Sequence, residues 1–147
     1  MEIVKSLQEL RSYALSFHGM PYQWGGDGPP HCFGIDCSGY AQKILARAGV
    51  DPAGDQTSLM LWQYFSKKQN GTPSQTEGAL AFFGIGGKVS HIGYHLSPDL
   101  MISAAGGGSK CITREASKAA NAFVKIQPIA IYRTPAYIGS FLPKYSF

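Results

Sequence analysis

One cysteine of this chain stands where a glycine-rich loop gives way to a helical pattern, a position that could make it a nucleophile. Cys37 is the fourth residue of the sequence GIDCSG at 34–39, and apolar residues recur at helical spacing over the next ten positions. A helix N-terminus carries partial positive charge and unpaired N–H groups, both of which favour thiolate over thiol. We therefore expect the pKa of Cys37 to be lowered and its sulfur to be reactive.

A histidine far along the chain is the candidate base. A buried-strand pattern at 79–84 is followed by a glycine-rich turn, and a second strand pattern opens near His91. A catalytic cysteine needs a base that is distant in sequence and adjacent in the fold. His91 suits that role, and we expect it to take the proton of Cys37. His95 shares its strand face but lies about 13 Å away, too far for a ring-to-ring hydrogen bond.

The elements that must position these two residues follow from hydrophobic periodicity and from glycine and proline breaks. The patterns predict helices at 2–18, 37–48 and 56–68, a short helix at 115–121, strands at 79–84, 90–97, 100–105, 109–114 and 124–133, and an irregular tail at 134–147. Helices followed by an antiparallel sheet define an α+β fold. A length of 147 residues suits one domain, which we assign to residues 1–147.

A long loop rich in glycine and proline occupies residues 19–35. Such loops inside compact domains are usually functional, so we expect this one to form a wall of the cleft. Two aromatic residues stand in it. Trp24 is expected to pack in the core, whereas Tyr22 is expected to present its ring to the cleft.

Five sequence blocks, in order, resemble the NlpC/P60 family of cell-wall cysteine peptidases. The blocks are YQWGG at 22–26, GIDCSGY at 34–40, GALAFF at 78–83, HIGY at 91–94 and LMISA at 100–104. The resemblance covers roughly residues 10 to 133. It implies a papain-like α+β fold, with N-terminal helices packed on a five- to six-stranded antiparallel sheet. It also implies cleavage of peptidoglycan stem peptides between D-γ-glutamate and a diamino acid, through a thioester on Cys37.

The resemblance further implies a Cys–His–polar triad, and here the chain departs from the family. The third member is usually histidine, and the matching position holds Ser103. A serine hydroxyl can accept a hydrogen bond from an imidazole N–H, but it cannot stabilise imidazolium as a carboxylate would. The group that orients His91 is therefore the Ser103 hydroxyl, an ordered water or a backbone carbonyl. Ala79 also departs from the family pattern, where aspartate is usual.

Three residues are implied to line the acyl side of the substrate: Tyr22, Asp36 and Ser38. Asp36 stands directly before the predicted helix, so it is equally well placed to be the helix N-cap. An acidic side chain in this region could also meet the free amine of a stem peptide.

Other activities are compatible with the same residues. A papain-like amidase would cut between muramic acid and L-alanine. A decayed triad, marked by Ser103, would leave a non-catalytic module that binds wall fragments. Transfer of the acyl group from the thioester to an amine ranks below hydrolysis.

The amino-acid composition limits the classes of partner and cofactor that we expect for this chain. The net charge is +4, which favours approach to anionic surfaces such as bacterial envelopes, but the basic residues are scattered and do not indicate nucleic acid. No apolar run is long enough to span a membrane. The three cysteines, Cys32, Cys37 and Cys111, lack the spacing of a zinc site, so we expect neither metal nor cofactor. The expected state is a monomer.

The first residues carry no signal-peptide pattern. With a peptidoglycan substrate, this leads us to expect action at the bacterial cell wall or in the periplasm, by a protein that is phage-encoded or delivered by a secretion system.

Overall fold

Three helices precede a six-stranded antiparallel sheet, and a fourth helix lies between two of its strands. The computed structural model describes residues 2–147. The helices are α1 (Leu7–Leu15), α2 (Cys37–Arg47), α3 (Ser58–Phe65) and α4 (Arg114–Ala119). The strands are β1 (Gly71–Pro73), β2 (Leu80–Ile85), β3 (Lys88–His95), β4 (Leu100–Ala105), β5 (Phe123–Pro128) and β6 (Ala136–Pro143), in the spatial order β1-β6-β2-β3-β4-β5. The predicted α+β class and the antiparallel sheet are confirmed.

Side-chain caps decide where the four helices begin. Ser6, Asp36, Thr57 and Thr113 each accept a hydrogen bond from a backbone N–H in the first turn of the helix that follows. The cap at Ser6 explains why α1 begins at Leu7 and not at residue 2, as the periodicity predicted.

The predicted strand at 109–114 is wrong. The outer edge of β5, where such a strand would pair, is already occupied by the loop after α1. The Gly19 N–H donates to the Val124 carbonyl at 2.8 Å, and the Val124 N–H donates to the Met20 carbonyl at 2.8 Å. Residues 109–112 therefore form a loop that ends at the cap of α4.

The predicted irregular tail is also wrong over most of its length. Residues 136–143 form β6, which pairs with β2 along most of that strand and with the short β1. The strand predicted at 124–133 ends at Pro128, where the chain enters a 3₁₀ turn over Ile129–Ile131.

Both faces of the sheet are buried, each against a different part of the chain. Its larger core faces the helices, where Phe82, Ile92 and Ile102 pack with Leu45 and Leu61. The other face carries Ala81, Phe83 and Met101, which are covered by three partly buried side chains of the segment between β5 and β6. These covering residues are Ile129, Tyr132 and Tyr137. The chain between β5 and β6 thus folds back over the sheet.

The two central strands β3 and β4 are joined over only a short stretch. Their register contains two pairs, Tyr94 with Ile102 and His95 with Met101. Beyond these pairs the strands no longer pair, and α2 packs against both of them. The backbone N–H of Ile92 lies close enough to the sulfur of Cys37 to favour its thiolate form. The gap between β3 and β4 therefore receives the first residue of α2.

Within residues 2–147, no helix combines the length and the apolar character that a membrane crossing requires.

Close packing around the first turn of α2 gives a stability prediction. A Cβ at Gly39 would lie 2.7 Å from the Gly26 carbonyl oxygen and 2.9 Å from Asp36 Oδ1. Gly39→Ala should therefore lower the free energy of unfolding by about 1–3 kcal/mol, despite the better helix propensity of alanine. Urea unfolding measures the change.

Gly139→Ala is the matched control, because a Cβ there meets no atom within 4 Å. Its free energy of unfolding should stay within about 0.5 kcal/mol of the parent. Equal losses in the two variants would contradict the close packing of α2 on its preceding loop.

Candidate active site

Cys37 is the first residue of α2, directly after the capping residue. The Asp36 Oδ1 atom accepts a hydrogen bond from the Gly39 N–H at 2.7 Å and one from the Ser38 hydroxyl at 3.3 Å. This cap fixes the first turn of the helix, and with it the direction in which the thiol leaves the backbone.

His91 lies on β3, opposite Phe83 of β2, and is 8% exposed. Its Nε2 atom is 3.2 Å from the Ser103 hydroxyl of β4 and 3.2 Å from the Tyr132 hydroxyl. Ser103 is fully buried. Both oxygens meet Nε2, which leaves the other ring nitrogen, Nδ1, free of these two contacts.

Cys37 and His91 line the same cavity, of about 410 Å³. The cavity walls come from the 19–35 loop, the open ends of β3 and β4, and the segment before β6. The lining residues are Tyr22, Trp24, Cys37, Ser90, His91, Ala104, Ala105, Gly106, Gly107, Tyr132, Thr134 and Pro135. A larger groove of about 530 Å³ lies over β6 and Trp62, but neither Cys37 nor His91 lines it.

Burial sets the protonation of the two reactive groups. It raises the pKa of Cys37 to about 12; the nearby Asp36 carboxylate also raises it, and the N–H groups of Ile92, Ser38 and Cys37 oppose the rise. The expectation that the helix start lowers the pKa of this thiol is therefore wrong, because loss of solvent outweighs the helix N–H groups. Burial lowers the pKa of His91 to about 4. At neutral pH the resting site thus holds a thiol and a neutral imidazole.

Of the two aromatic residues of the 19–35 loop, Tyr22 lies where the sequence predicted and Trp24 does not. Trp24 is 53% exposed at the rim of the cavity, so its predicted core position is wrong. Tyr22 is only 6% exposed, and its ring lies against Gly107, where the lack of a side chain makes the contact possible. Tyr22 lines the cavity as predicted, while burial and the proximity of Cys37 raise the pKa of its hydroxyl.

Asp36 and Ser38 lie outside the lining of the cavity, and the contacts that the structure gives them belong to the helix cap. A role for either residue in substrate binding stays a prediction.

Sequence reasoning missed Tyr132. It lay within the last predicted strand, and no spacing rule connects residue 132 with residue 91. The contact arises because the chain leaves β5 at Pro128 and folds back over the sheet. The same segment supplies Thr134 and Pro135 to the cavity.

Within residues 2–147, no three His, Cys, Asp or Glu side chains are grouped to hold a metal ion. All three cysteines are free.

A cysteine at a helix start, set against a histidine on an antiparallel sheet, is the arrangement of the papain-like α+β class. Residues 19–127 match the sequence model of the NlpC/P60 family, and the chain belongs to that family.

Two curated relatives and one solved structure illustrate the similarity. The probable endopeptidase p60 of Listeria monocytogenes is 34% identical over 92 residues, which are 63% of this chain and 18% of that protein. The bifunctional muramidase/DL-endopeptidase CwlT of Bacillus subtilis is 33% identical over 99 residues, 65% of this chain and 28% of that protein. The chain therefore spans less than a third of either relative.

The solved structure is RipD of Mycobacterium tuberculosis, described as a non-catalytic NlpC/p60 domain protein adapted to peptidoglycan binding. It superposes with a TM-score of 0.61 and 19% identity, covering 96% of this chain and 99% of that one. At this identity the likeness shows the fold alone.

The buried imidazole predicts a loss of stability in acid. The pKa of His91 is about 4 in the folded chain against an ordinary 6.5, so between these values the unfolded chain binds a proton that the folded chain does not. The stabilisation is complete above pH 6.5 and is lost as the pH falls to 4, by about 3 kcal/mol.

Urea unfolding of the parent and of His91→Gln at pH 7, 5.5 and 4 measures this loss. The variant should lose about 3 kcal/mol less than the parent. His95, whose pKa burial also lowers, is present in both chains and cancels. Parallel pH curves for the two chains would contradict the buried, neutral imidazole.

The raised pKa of Cys37 predicts slow alkylation at neutral pH, because only the thiolate reacts. Cys32 and Cys37 are both partly exposed, so the comparison tests the state of the thiol. Iodoacetamide labelling followed by peptide mass mapping should find Cys37 modified more slowly than Cys32 at pH 7, with its rate still rising above pH 9. Faster labelling of Cys37 than of Cys32 at pH 7 would instead mean that the resting site holds a preformed thiolate.

Proposed function

We propose that this chain is a cysteine peptidase that hydrolyses the stem peptides of bacterial peptidoglycan, with Cys37 as nucleophile and His91 as base. One observation carries the proposal: Cys37 and His91 line one cavity, and two hydroxyls contact the imidazole at Nε2, so that Nδ1 is free of these contacts. The names of the curated relatives, an endopeptidase and a muramidase/DL-endopeptidase, support this reaction class.

In the first step, transfer of the thiol proton and attack of the sulfur on the amide carbon occur together. His91 Nδ1 takes the thiol proton as the sulfur bonds to the amide carbon, so the charged pair forms only during the reaction. This order agrees with a resting site in which both groups are neutral. The carbonyl oxygen gains negative charge, and the Cys37 N–H at the helix start is placed to stabilise it, an effect worth ~3 kcal/mol for one donor.

The second half of the reaction releases the products. The imidazolium of His91 protonates the leaving amine as the carbon–nitrogen bond breaks, which leaves a thioester on Cys37. Water, deprotonated by the same imidazole, then attacks the thioester, and the thiol is restored. Ser103 acts in both halves by holding His91 through Nε2.

The proposed bond lies between D-γ-glutamate and the following diamino acid, in line with the DL-endopeptidase activity in the name of the Bacillus relative. Tyr22, which lines the cavity beside Cys37, is placed to contact the acyl side of this bond. We place the activity at the bacterial cell wall. An amidase acting between muramic acid and L-alanine would use the same residues, so the products distinguish the two.

A specific observation favours a second candidate, a module that binds wall fragments without cleaving them. Burial raises the pKa of the Cys37 thiol, and Ser103 stands where the family usually has histidine. RipD is described as such a binding protein. We rank this candidate second, because the imidazole is already bonded at Nε2 and lies in the cavity of the thiol.

Digestion of purified peptidoglycan, followed by mass spectrometry of the muropeptides, tests the proposal. The parent chain should release shortened stem peptides. Cys37→Ala and His91→Ala should each lower the rate by at least ~10³-fold while both variants stay folded, because the two residues act as one unit. Cys32→Ala, which alters a free cysteine outside the cavity, should keep the parent rate.

The other readings predict different products. Intact stem peptides would identify the amidase. Sedimentation of the chain with peptidoglycan, with no new muropeptide, would identify the binding module. Cleavage at the parent rate by Cys37→Ala would exclude the cysteine mechanism.

A further inference from the structure

We propose that Tyr132 is a positioning residue that shares with Ser103 the task of holding His91, so that two hydroxyl groups fix the imidazole with Nδ1 toward Cys37. The inference rests on the proposed function, which it deepens by naming the second partner of the base. The Ser103 and Tyr132 hydroxyls are equally distant from His91 Nε2, at 3.2 Å each.

The Ser103 hydroxyl lies near that of Tyr132 and lowers the pKa of the Tyr132 phenol, against the larger rise that burial causes. Two hydroxyl oxygens therefore approach the same ring nitrogen. For Nδ1 to accept the thiol proton, Nε2 must carry the ring hydrogen and donate it. A hydroxyl oxygen can accept that hydrogen bond, so either Ser103 or Tyr132 can receive the Nε2–H.

The ring of Tyr132 adds a constraint that a serine cannot supply. It meets the imidazole edge to face, with centroids 5.0 Å apart and planes at 85°. It meets the Phe83 ring in the same way, at 4.8 Å and 87°. Phe83 is fully buried, and its ring centroid is 5.6 Å from that of His91. The imidazole thus packs against two aromatic rings that also contact each other, and these contacts restrict its rotation.

The surroundings of His91 explain why a second hydroxyl is useful. The lining of the cavity, within the part of the chain that the structure describes, contains no Asp or Glu side chain that could orient the imidazole. Ser103 offers one short side chain in place of the histidine usual in the family. Tyr132 brings a second oxygen to the same nitrogen from a segment that lies across the sheet face.

Tyr137 is a matched control in the same segment. Its ring also packs on Phe83, at 5.6 Å and 62°, but its hydroxyl bonds to the Ser140 hydroxyl at 2.7 Å and not to His91. Tyr137→Phe therefore removes a partly buried tyrosine hydroxyl near the same aromatic cluster without changing the hydrogen-bond partners of His91.

The kinetic arm compares Tyr132→Phe, Ser103→Ala, the double variant and Tyr137→Phe on a stem-peptide substrate. Because each hydroxyl can replace the other, each single variant should lower kcat by roughly 3- to 10-fold with KM within twofold. The double variant should lose ~10²–10³-fold, more than the product of the single losses. Tyr137→Phe should keep the parent kcat.

The second arm measures the imidazole directly and needs no substrate. Nitrogen-15 NMR of the labelled, substrate-free chain reports which ring nitrogen carries the hydrogen. The parent and Tyr137→Phe should hold the Nε2–H tautomer at pH 7, and the double variant should give a mixture of tautomers, with Tyr132→Phe between them.

The two arms separate failure of the inference from failure of the proposed function. If the parent cleaves stem peptides but Tyr132→Phe and the double variant keep both the parent kcat and the Nε2–H tautomer, the role of Tyr132 is wrong and the function stands. If the parent cleaves nothing but the tautomer mixes in the double variant, the function is wrong and the positioning by two hydroxyls stands. Thermal unfolding of each variant verifies that the fold is retained.

Discussion

The short junction between β3 and β4 is the constraint on which the site depends. Two residue pairs join these strands, and past them the sheet opens. In a fully paired sheet the Ile92 N–H would bond to the neighbouring strand, but here it lies near the Cys37 sulfur and favours the thiolate. The start of α2 therefore packs at this opening. On the two neighbouring strands, the buried Ser103 hydroxyl of β4 contacts His91 Nε2 of β3.

Burial, more than helix electrostatics, governs the resting chemistry of the pair. Three backbone N–H groups favour the Cys37 thiolate, yet desolvation dominates and keeps the sulfur protonated. The same desolvation keeps His91 neutral. Cys37 and His91 are therefore both neutral before a ligand binds. The two hydroxyls that contact Nε2 are neutral as well, which suits a neutral imidazole.

The sequence was sufficient for the features that depend on local rules. The helix that begins at Cys37 and the strand that carries His91 follow from periodicity. The resemblance also singled out Ser103, which contacts His91 in the structure. The two wrong predictions, a strand at 109–114 and an irregular tail, depend on competition between distant segments. The loop at 19–23 occupies the edge of β5 with which residues 109–114 would have paired. The tail forms β6 because β2 had a free edge. Tyr132 was missed for the same reason, since only the return of the chain over the sheet face brings it to His91.

The lining of the cavity has a consequence for how salt acts on this protein. Within the described chain, none of the lining residues is Lys, Arg, Asp or Glu, whereas the chain as a whole carries a net charge of +4. Mobile ions screen exposed charges over about 8–10 Å, so they weaken the long-range attraction of an anionic polymer to the surface. They have little to screen inside the cavity. Ionic strength should therefore change how often a charged ligand arrives and leave its turnover, once bound, almost unaltered.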